Sequence, residues 1–184
     1  MRYSTIEEYE DIANYYIDVS CKELCKLTDY HDFKLAYTKL DWSKRRTSSR
    51  GGWYPEKGGA GISIGMHLTT KPTNGDIIRV YEYASFDSSP IIGGFLTRNN
   101  EDKIALHCLH EVAHAAQYWG KYLKKLSAGA PHGHVWRSLY SHLRVSILNS
   151  SLPNQKLLKE EYDDYINKIE SPLVKKIMIA ASRK

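Results

Sequence analysis

The stretch LHCLHEVAHAAQ, residues 106–117, constrains the fold of this chain more than any other. It places three histidines and a glutamate in an otherwise apolar run whose alanines allow close packing. A run of this kind, with no proline inside it, favours a helix. We predict a helix that begins near Asn100 or Glu101 and continues through Tyr118 or further, despite Gly120.

Within this helix, His110, Glu111 and His114 form an HExxH motif. At 3.6 residues per turn, His114 lies about 40° around the axis and about 6 Å along it from His110, so both imidazoles can bind one ion. Glu111 lies about 100° from His110, where its carboxylate can take a proton from an attacking water. These roles predict one Zn²⁺ per chain, with Glu111 as the general base of a hydrolase.

A catalytic zinc site has three protein ligands and one open position, so a third ligand is required. The sequence APHGHVW follows a break after the motif helix and supplies two candidates. A chain reversal at this break can return either imidazole to the first two. We prefer His132, at the start of the next helix, and His134 is an alternative ligand or a residue that supports the ligands. His107 also lies near the motif face, where we favour a histidine hydrogen-bonded to its neighbours over a ligand.

The remaining pattern predicts an α+β domain. Ser4 and Glu7 suggest the capping box of a first helix that ends near Thr28. The segments FKLAYTKL, AGISIGMHL and DIIRVYEYAS favour a small, mainly antiparallel sheet. Residues 41–59 read as a long exposed connection, and the strand over residues 61–68 as a sheet edge that pairs with an extended substrate.

Composition and cysteine content indicate the class of protein and its cellular compartment. It has 42% hydrophobic and 26% charged residues, as ordinary globular proteins do. It contains no apolar run of roughly 20 residues, the length of a membrane span. Three cysteines, an odd number, fit a reducing compartment better than a disulfide framework. We therefore expect a cytoplasmic protein with no membrane partner.

The net charge of +5 gives a mild preference for acidic partners such as nucleic acid. Basic residues and tryptophans in the connection over residues 41–59 combine phosphate-pairing charge with stacking surfaces, as binders of single strands do. The candidate contacts are Trp42, Lys44, Arg45, Arg46, Arg50 and Trp53. The alternative, ordinary solvated charges, stays open because a chain with 26 Lys and Arg clusters some by accident.

The segments HEVAHAAQYW and HGHVW, separated by a break, resemble the SprT-like metallopeptidase family. The pattern of that family is HExxH on one helix, followed by HGxx with an aromatic residue that opens the next helix. Matched residue by residue, the resemblance implies His110, His114 and His132 as zinc ligands, Glu111 as general base and Trp136 in the aromatic position.

The resemblance also implies a zincin-like fold over residues 1–150, made of an N-terminal helix, the small sheet, the HExxH helix and a third-ligand helix that runs to about residue 149. Residues 151–184 lie outside the family pattern, and we expect them to form a C-terminal helical extension packed on this domain. The Spartan branch of the family cleaves proteins crosslinked to DNA. This implies a protein or peptide substrate, with DNA-associated proteins and single-stranded DNA as candidate partners.

The chain departs from the family at its C-terminal side. Many members carry a cysteine-rich zinc ribbon after the catalytic part, whereas no cysteine follows Cys108 here. The alternative function is therefore a basic nucleic-acid-binding protein in which zinc only braces the fold. A fourth protein ligand, His107 or His134, would favour that alternative, because structural zinc sites are closed by four ligands.

Overall fold

The computed structural model describes residues 5–43, 48–69, 78–80, 92–93, 95–148 and 160. The chain divides into two units, Met1–Asn149 and Ser150–Lys184. The second unit lies outside the described residues apart from Glu160, so the predicted helical extension stays a prediction. None of the described helices has the length and hydropathy needed to cross a bilayer.

The described part of the first unit mixes helices with short strands, as predicted for an α+β protein. In chain order, its elements are α1 (Ile6–Leu24), β1 (Tyr37–Asp41), β2 (Arg50–Tyr54), β3 (Gly59–Gly65), α2 (Met66–Thr69), β4 (Ile78–Val80), β5 (Phe95–Thr97), α3 (Asn100–Leu123) and α4 (His134–Leu148). The bounds of α3 and α4 confirm the predicted positions of the motif helix and the helix after it.

Helix α1 begins with a capping box one residue later than predicted. The Thr5 hydroxyl accepts a hydrogen bond from the Glu8 amide at 3.1 Å, and the Glu8 carboxylate accepts one from the Thr5 amide at 2.8 Å. The helix ends at Leu24, and a 3-10 turn over Thr28–Tyr30 follows. The predicted end near Thr28 is therefore too late, because Leu27 already has an extended backbone, with φ −80° and ψ 131°.

Strand β3 is the centre of a three-stranded sheet with the order β1-β3-β2. Strand β1 runs parallel to β3, with Tyr37 opposite Gly61, whereas β2 runs antiparallel to it. The predicted mainly antiparallel sheet is therefore wrong for the β1–β3 pair. The predicted edge over residues 61–68 is also wrong, since β3 has a partner on each side and ends at Gly65, where α2 begins. Strands β4 and β5 form a separate antiparallel pair.

Strand β2 lies inside the stretch that was predicted to be an exposed connection. It packs against α3 through Gly51, where an added Cβ would lie 1.9 Å from the carbonyl oxygen of Glu111. Side chains alternate along a strand, and Trp53, two residues later, packs on Tyr122 of α3 with ring centroids 4.9 Å apart. Glycine therefore serves here for close packing of a strand on a helix and does not mark a loop.

Helix α3 is the central element of the described domain. It contacts α1, α4, β2 and β3, and most of its residues between Lys103 and Gly120 are buried. Polar side chains in such a helix need partners, since an unpaired polar group in the interior is costly. The HExxH motif therefore lies where its histidines must contact one another or other polar groups.

Candidate metal centre

Three histidines from two segments of the chain converge at one point. His110 and His114 lie on α3, and His132 lies in the loop before α4. The Nε2 atom of His132 is 2.9 Å from Nε2 of His114 and 3.2 Å from Nε2 of His110. Nitrogens that bind one tetrahedral zinc ion at 2.0–2.1 Å are separated by about 3.3 Å. The three imidazoles are therefore close enough to bind one metal ion.

The backbone around His132 is held in an unusual conformation. His132 has a φ of 59°, in the left-handed region that costs a residue with a Cβ about 1–2 kcal/mol. Gly133 donates its amide hydrogen to the Ala130 carbonyl at 2.8 Å, and a Cβ at Gly133 would lie 2.8 Å from the same oxygen. The Arg137 side chain donates to the His132 carbonyl at 3.0 Å. These contacts direct the imidazole of His132 toward α3.

Trp136, in the first turn of α4, contacts all three histidines. Its ring stacks on His114 at a centroid distance of 5.2 Å and an interplanar angle of 27°, and it meets His110 and His132 edge to face at 4.7 and 4.5 Å. Its indole nitrogen donates to the His110 carbonyl at 3.4 Å. Tyr140 stacks on Trp136 at 4.8 Å. The aromatic pair therefore forms an apolar wall that fixes the ring orientations.

The environment of His114 favours a neutral imidazole. Burial, and then the nearby rings of His110 and His132, lower its pKa to about 3, and the hydrogen bond with Gln117 opposes this only in part. A histidine must be neutral to bind a metal ion. The ring is therefore in its ligating protonation state at physiological pH.

Glu111 follows His110 on α3, and only 8% of the residue is exposed. A carboxylate at that depth keeps its charge where a cation or hydrogen bonds compensate for the lost water.

Cys108 is a buried thiol on the same helix. Burial and then the charge of Glu111 raise the pKa of this thiol. Its sulfur lies 3.7 Å from the Ala13 carbonyl, toward α1. Cys108 is a packing residue between helices.

Comparison of the chain with protein-family models, curated proteins and solved structures found no match. The resemblance to the SprT-like family thus rests on the two histidine motifs. The geometry described above does not depend on that resemblance.

The other candidate ligands are not part of the cluster. The His107 Nδ1 atom lies 2.9 Å from the Lys103 carbonyl, one turn earlier on α3. His134 opens α4 and lines a separate cleft of about 620 Å³, together with Tyr30 and His142. Among the described residues, the cluster of potential ligands has three members and includes neither His107 nor His134.

Three of the six predicted nucleic-acid contacts can be placed in the described part of the chain, and the two tryptophans among them lie apart. Lys44, Arg45 and Arg46 lie outside the described residues. Trp42 follows β1 at the Gly65 end of β3, whereas Trp53 pairs with Ala60 near the other end. These register positions are about 17 Å apart at 3.3 Å per residue.

Both tryptophans also have partners within the protein. The Trp42 indole donates to Glu10 at 2.6 Å, and Trp53 packs on Tyr122. Arg50 is exposed, with its guanidinium 6.0 Å from the ring centroid of Tyr54. The structure therefore separates two aromatic residues that the sequence places near each other.

Sequence reasoning missed two residues that contact the centre, Gly51 and Gln117. Gln117 is three positions after His114, so its place on the same helix face could have been read from the spacing. Gly51 had no such signal, because its contact with Glu111 joins a strand to a helix that is distant in sequence.

Proposed function

We propose that this chain is a zinc-dependent endopeptidase of the SprT-like type, with a zincin-like fold. One observation carries the proposal: the Nε2 atoms of His110, His114 and His132 converge at 2.9 and 3.2 Å, directly beside Glu111 in sequence. This ligand set is the one that the HExxH and HGxx patterns imply. Three imidazole nitrogens are typical ligands of zinc.

The number of ligands favours catalysis over a structural role. A structural zinc site is closed by four protein groups, whereas a catalytic site leaves one position for water or substrate. Within the described part of the chain, the cluster contains three potential ligands. His107 and His134, the two candidates for a fourth, have other environments. The nucleic-acid-binding alternative with a purely structural zinc is thus the weaker one.

The residues around the cluster have separate roles in this proposal. A bound zinc ion would lower the pKa of a coordinated water toward neutrality and polarise the scissile carbonyl. Glu111 accepts the proton of the attacking water and passes it to the leaving amine. Trp136 covers one side of the imidazoles and limits access of bulk water from that side. The reaction consumes the peptide bond and one water molecule, and its products are a carboxylate and an amine.

Strand β2 replaces β3 as the expected partner of the substrate backbone. Among the described residues, the order β1-β3-β2 leaves β2 with a neighbour on one side only. Gly51 holds this strand against α3 at Glu111 and His114. An extended peptide that pairs with the open side of β2 can satisfy unpaired backbone amides and carbonyls, and it lies along the metal centre. We therefore expect unfolded or extended segments to be the preferred substrates.

The test measures bound metal and cleavage of an unfolded protein with the parent chain and three variants. Glu111→Gln should retain zinc and lose cleavage by about 10²–10⁴-fold, because only the proton acceptor is removed. His132→Ala should lose zinc, whereas the matched control His134→Ala should keep it. A parent chain that binds zinc but cleaves no peptide would refute the peptidase and leave the metal centre in place.

A second candidate property, binding of single-stranded nucleic acid, is favoured by one group of residues on β1, on β2 and in the 3-10 turn Pro55–Lys57 that follows β2. Tyr37 and Tyr54 lie side by side with ring centroids 5.5 Å apart. The cationic groups of Lys57 and Arg50 lie 5.7 and 6.0 Å from these rings. Aromatic rings flanked by cations are suited to stacked bases and phosphates. We propose that DNA contact, where it occurs, uses this group and not the two tryptophans.

Fluorescence anisotropy with a labelled single strand of thymidines tests this candidate. Tyr54→Ala should weaken binding by about 5–150-fold, the loss of one stacking contact. Tyr15→Ala is the matched control, since Tyr15 is an exposed tyrosine on α1, 61% accessible. Equal affinities of the two variants would exclude the group as the contact surface.

A further inference from the structure

The side-chain amide of Gln117 connects both parts of the metal centre. Gln117 lies on α3, three residues after His114, and is 2% exposed. Its Nε2 atom donates to the carbonyls of Ala128 and Ala130 at 2.5 and 3.1 Å. Its Oε1 atom lies 3.4 Å from Nδ1 of His114. One buried side chain thus contacts a ligand on α3 and the loop that carries His132.

The orientation of this amide is fixed by its acceptors. A carbonyl oxygen only accepts hydrogen bonds, so the NH₂ group of Gln117 must face Ala128 and Ala130. The amide oxygen then faces His114, and because an oxygen of this kind only accepts, the imidazole must carry its proton on Nδ1. The lone pair of His114 is consequently on Nε2, the atom that lies 2.9 Å from Nε2 of His132.

The hydrogen bonds of Gln117 to the loop also affect the position of His132. The Ala130 carbonyl accepts from Gln117 and also from the Gly133 amide at 2.8 Å. This pair of bonds fixes the turn in which His132 adopts its positive φ. A left-handed conformation at a residue other than glycine persists only where its surroundings hold it. The hydrogen bond from Gln117 on α3 to the Ala130 carbonyl is one of the contacts that stabilise this conformation.

We propose that Gln117 is a positioning residue of the metal centre, which sets the tautomer of His114 and locks the loop that presents His132. Partners of this kind orient metal-binding histidines, and their loss weakens metal affinity by about 10–100-fold. The inference rests on the proposed metal centre, but it is independent of whether the bound metal hydrolyses peptides.

Two substitutions separate the two roles. Gln117→Met has a similar size and removes both the acceptor and the donors. Gln117→Glu keeps an acceptor for the Nδ1 proton of His114 but loses the donors to Ala128 and Ala130. Leu24→Ala is the control for general destabilisation, since Leu24 is fully buried on α1 and outside the cluster.

The measurements are zinc affinity by competition with a chelator and the histidine tautomer by long-range ¹H–¹⁵N correlation in the metal-free chain. We expect Gln117→Met to weaken zinc binding 10–100-fold and to shift His114 toward a mixture of tautomers. Gln117→Glu should retain the Nδ1-protonated form and still bind zinc more weakly than the parent. Leu24→Ala should lower the unfolding midpoint with no change in zinc affinity or tautomer.

The outcomes distinguish this inference from the proposed function. A parent chain that binds zinc, together with a Gln117→Met variant of equal affinity and unchanged tautomer, would overturn the role of Gln117 alone. A parent chain that binds no zinc would overturn the metal centre, and the inference with it. Equal loss of affinity in Leu24→Ala and Gln117→Met would reduce Gln117 to a structural residue and would also overturn the inference.

Discussion

The contact of Gly51 with α3 offers a direct perturbation of the metal centre from the sheet. In Gly51→Ala, the new methyl group would lie 1.9 Å from the carbonyl oxygen of Glu111, 2.8 Å from its carbonyl carbon and 3.0 Å from Cβ of His114. Carbon–oxygen contacts between neighbouring backbones are about 3.3–3.6 Å. Strand β2 and helix α3 must therefore separate by about 1.5 Å to accept one methyl group.

The expected cost follows from which atoms have to move. Overpacking a well-packed interior costs about 1–3 kcal/mol, occasionally more. Both sides of this contact are backbone, which cannot rotate away as a side chain can, so we expect about 3 kcal/mol of destabilisation. A displacement of about 1 Å at a catalytic group can reduce a rate about 10²-fold, so under the proposed function cleavage should fall more steeply than stability.

Gly52→Ala is the matched control on the same strand. An added Cβ at Gly52 meets no atom within 4 Å. Replacing glycine by alanine without strain stabilises a protein by about 0.4–1 kcal/mol, because the unfolded chain loses conformational freedom. We therefore expect Gly52→Ala to be neutral or slightly stabilising and to bind zinc as the parent does.

Urea unfolding of the metal-free chain, zinc affinity and cleavage of an unfolded protein measure the three effects. Gly51→Ala should have a lower unfolding free energy than Gly52→Ala by about 3–4 kcal/mol, the sum of the overpacking cost and the gain in the control. Equal unfolding free energies and zinc affinities for the two variants would show that β2 does not pack on α3 at Glu111, and the proposed substrate strand would lose its position.

Three further predictions concern the histidine cluster. The low pKa of His114, about 3, means that below about pH 6.5 the unfolded chain binds a proton at this residue that the folded chain does not. The unfolding free energy of the metal-free chain should therefore fall as the pH is lowered from 6.5 to 3, by about 3 kcal/mol at pH 4, and a flat profile in urea titrations would contradict this. Trp136→Phe keeps an aromatic ring but loses the hydrogen bond to the His110 carbonyl. Calorimetry should therefore show an unfolding free energy lower by about 1 kcal/mol or more, and unchanged stability would argue against that bond. Gly133→Ala places a methyl group 2.8 Å from the Ala130 carbonyl oxygen, so zinc affinity should fall, and parent-like affinity in a chelator competition would show that the turn does not position the third ligand.

The structure also shows where sequence reasoning about the sheet failed. Strand β3, in the stretch that was predicted to form a sheet edge, alternates glycine or serine with apolar residues. All seven of its residues are buried, because α3 packs against this strand and the neighbouring Tyr37 and Trp53 lie against its glycines. Burial on both faces is set by what packs on the sheet, and no local pattern in GAGISIG reports it.

Local sequence patterns were enough to predict helices α3 and α4 and the three histidines on and after α3 as candidate ligands. His110 and His114 are one turn apart, and spacing along a helix is fixed by its own backbone hydrogen bonds. The break after α3 and the HG pair likewise placed His132 within reach, because a short loop allows few paths back to the helix.

The other features of the site depend on contacts between distant segments. The direction of β1 beside β3, the contact of Gly51 with Glu111, and the bonds from Gln117 to Ala128 and Ala130 join segments that local patterns treat separately. Such contacts depend on how whole elements pack, since many strand orders satisfy the same alternation of side chains. The candidate ligands were therefore readable in the sequence, whereas the structure that holds them in place was not.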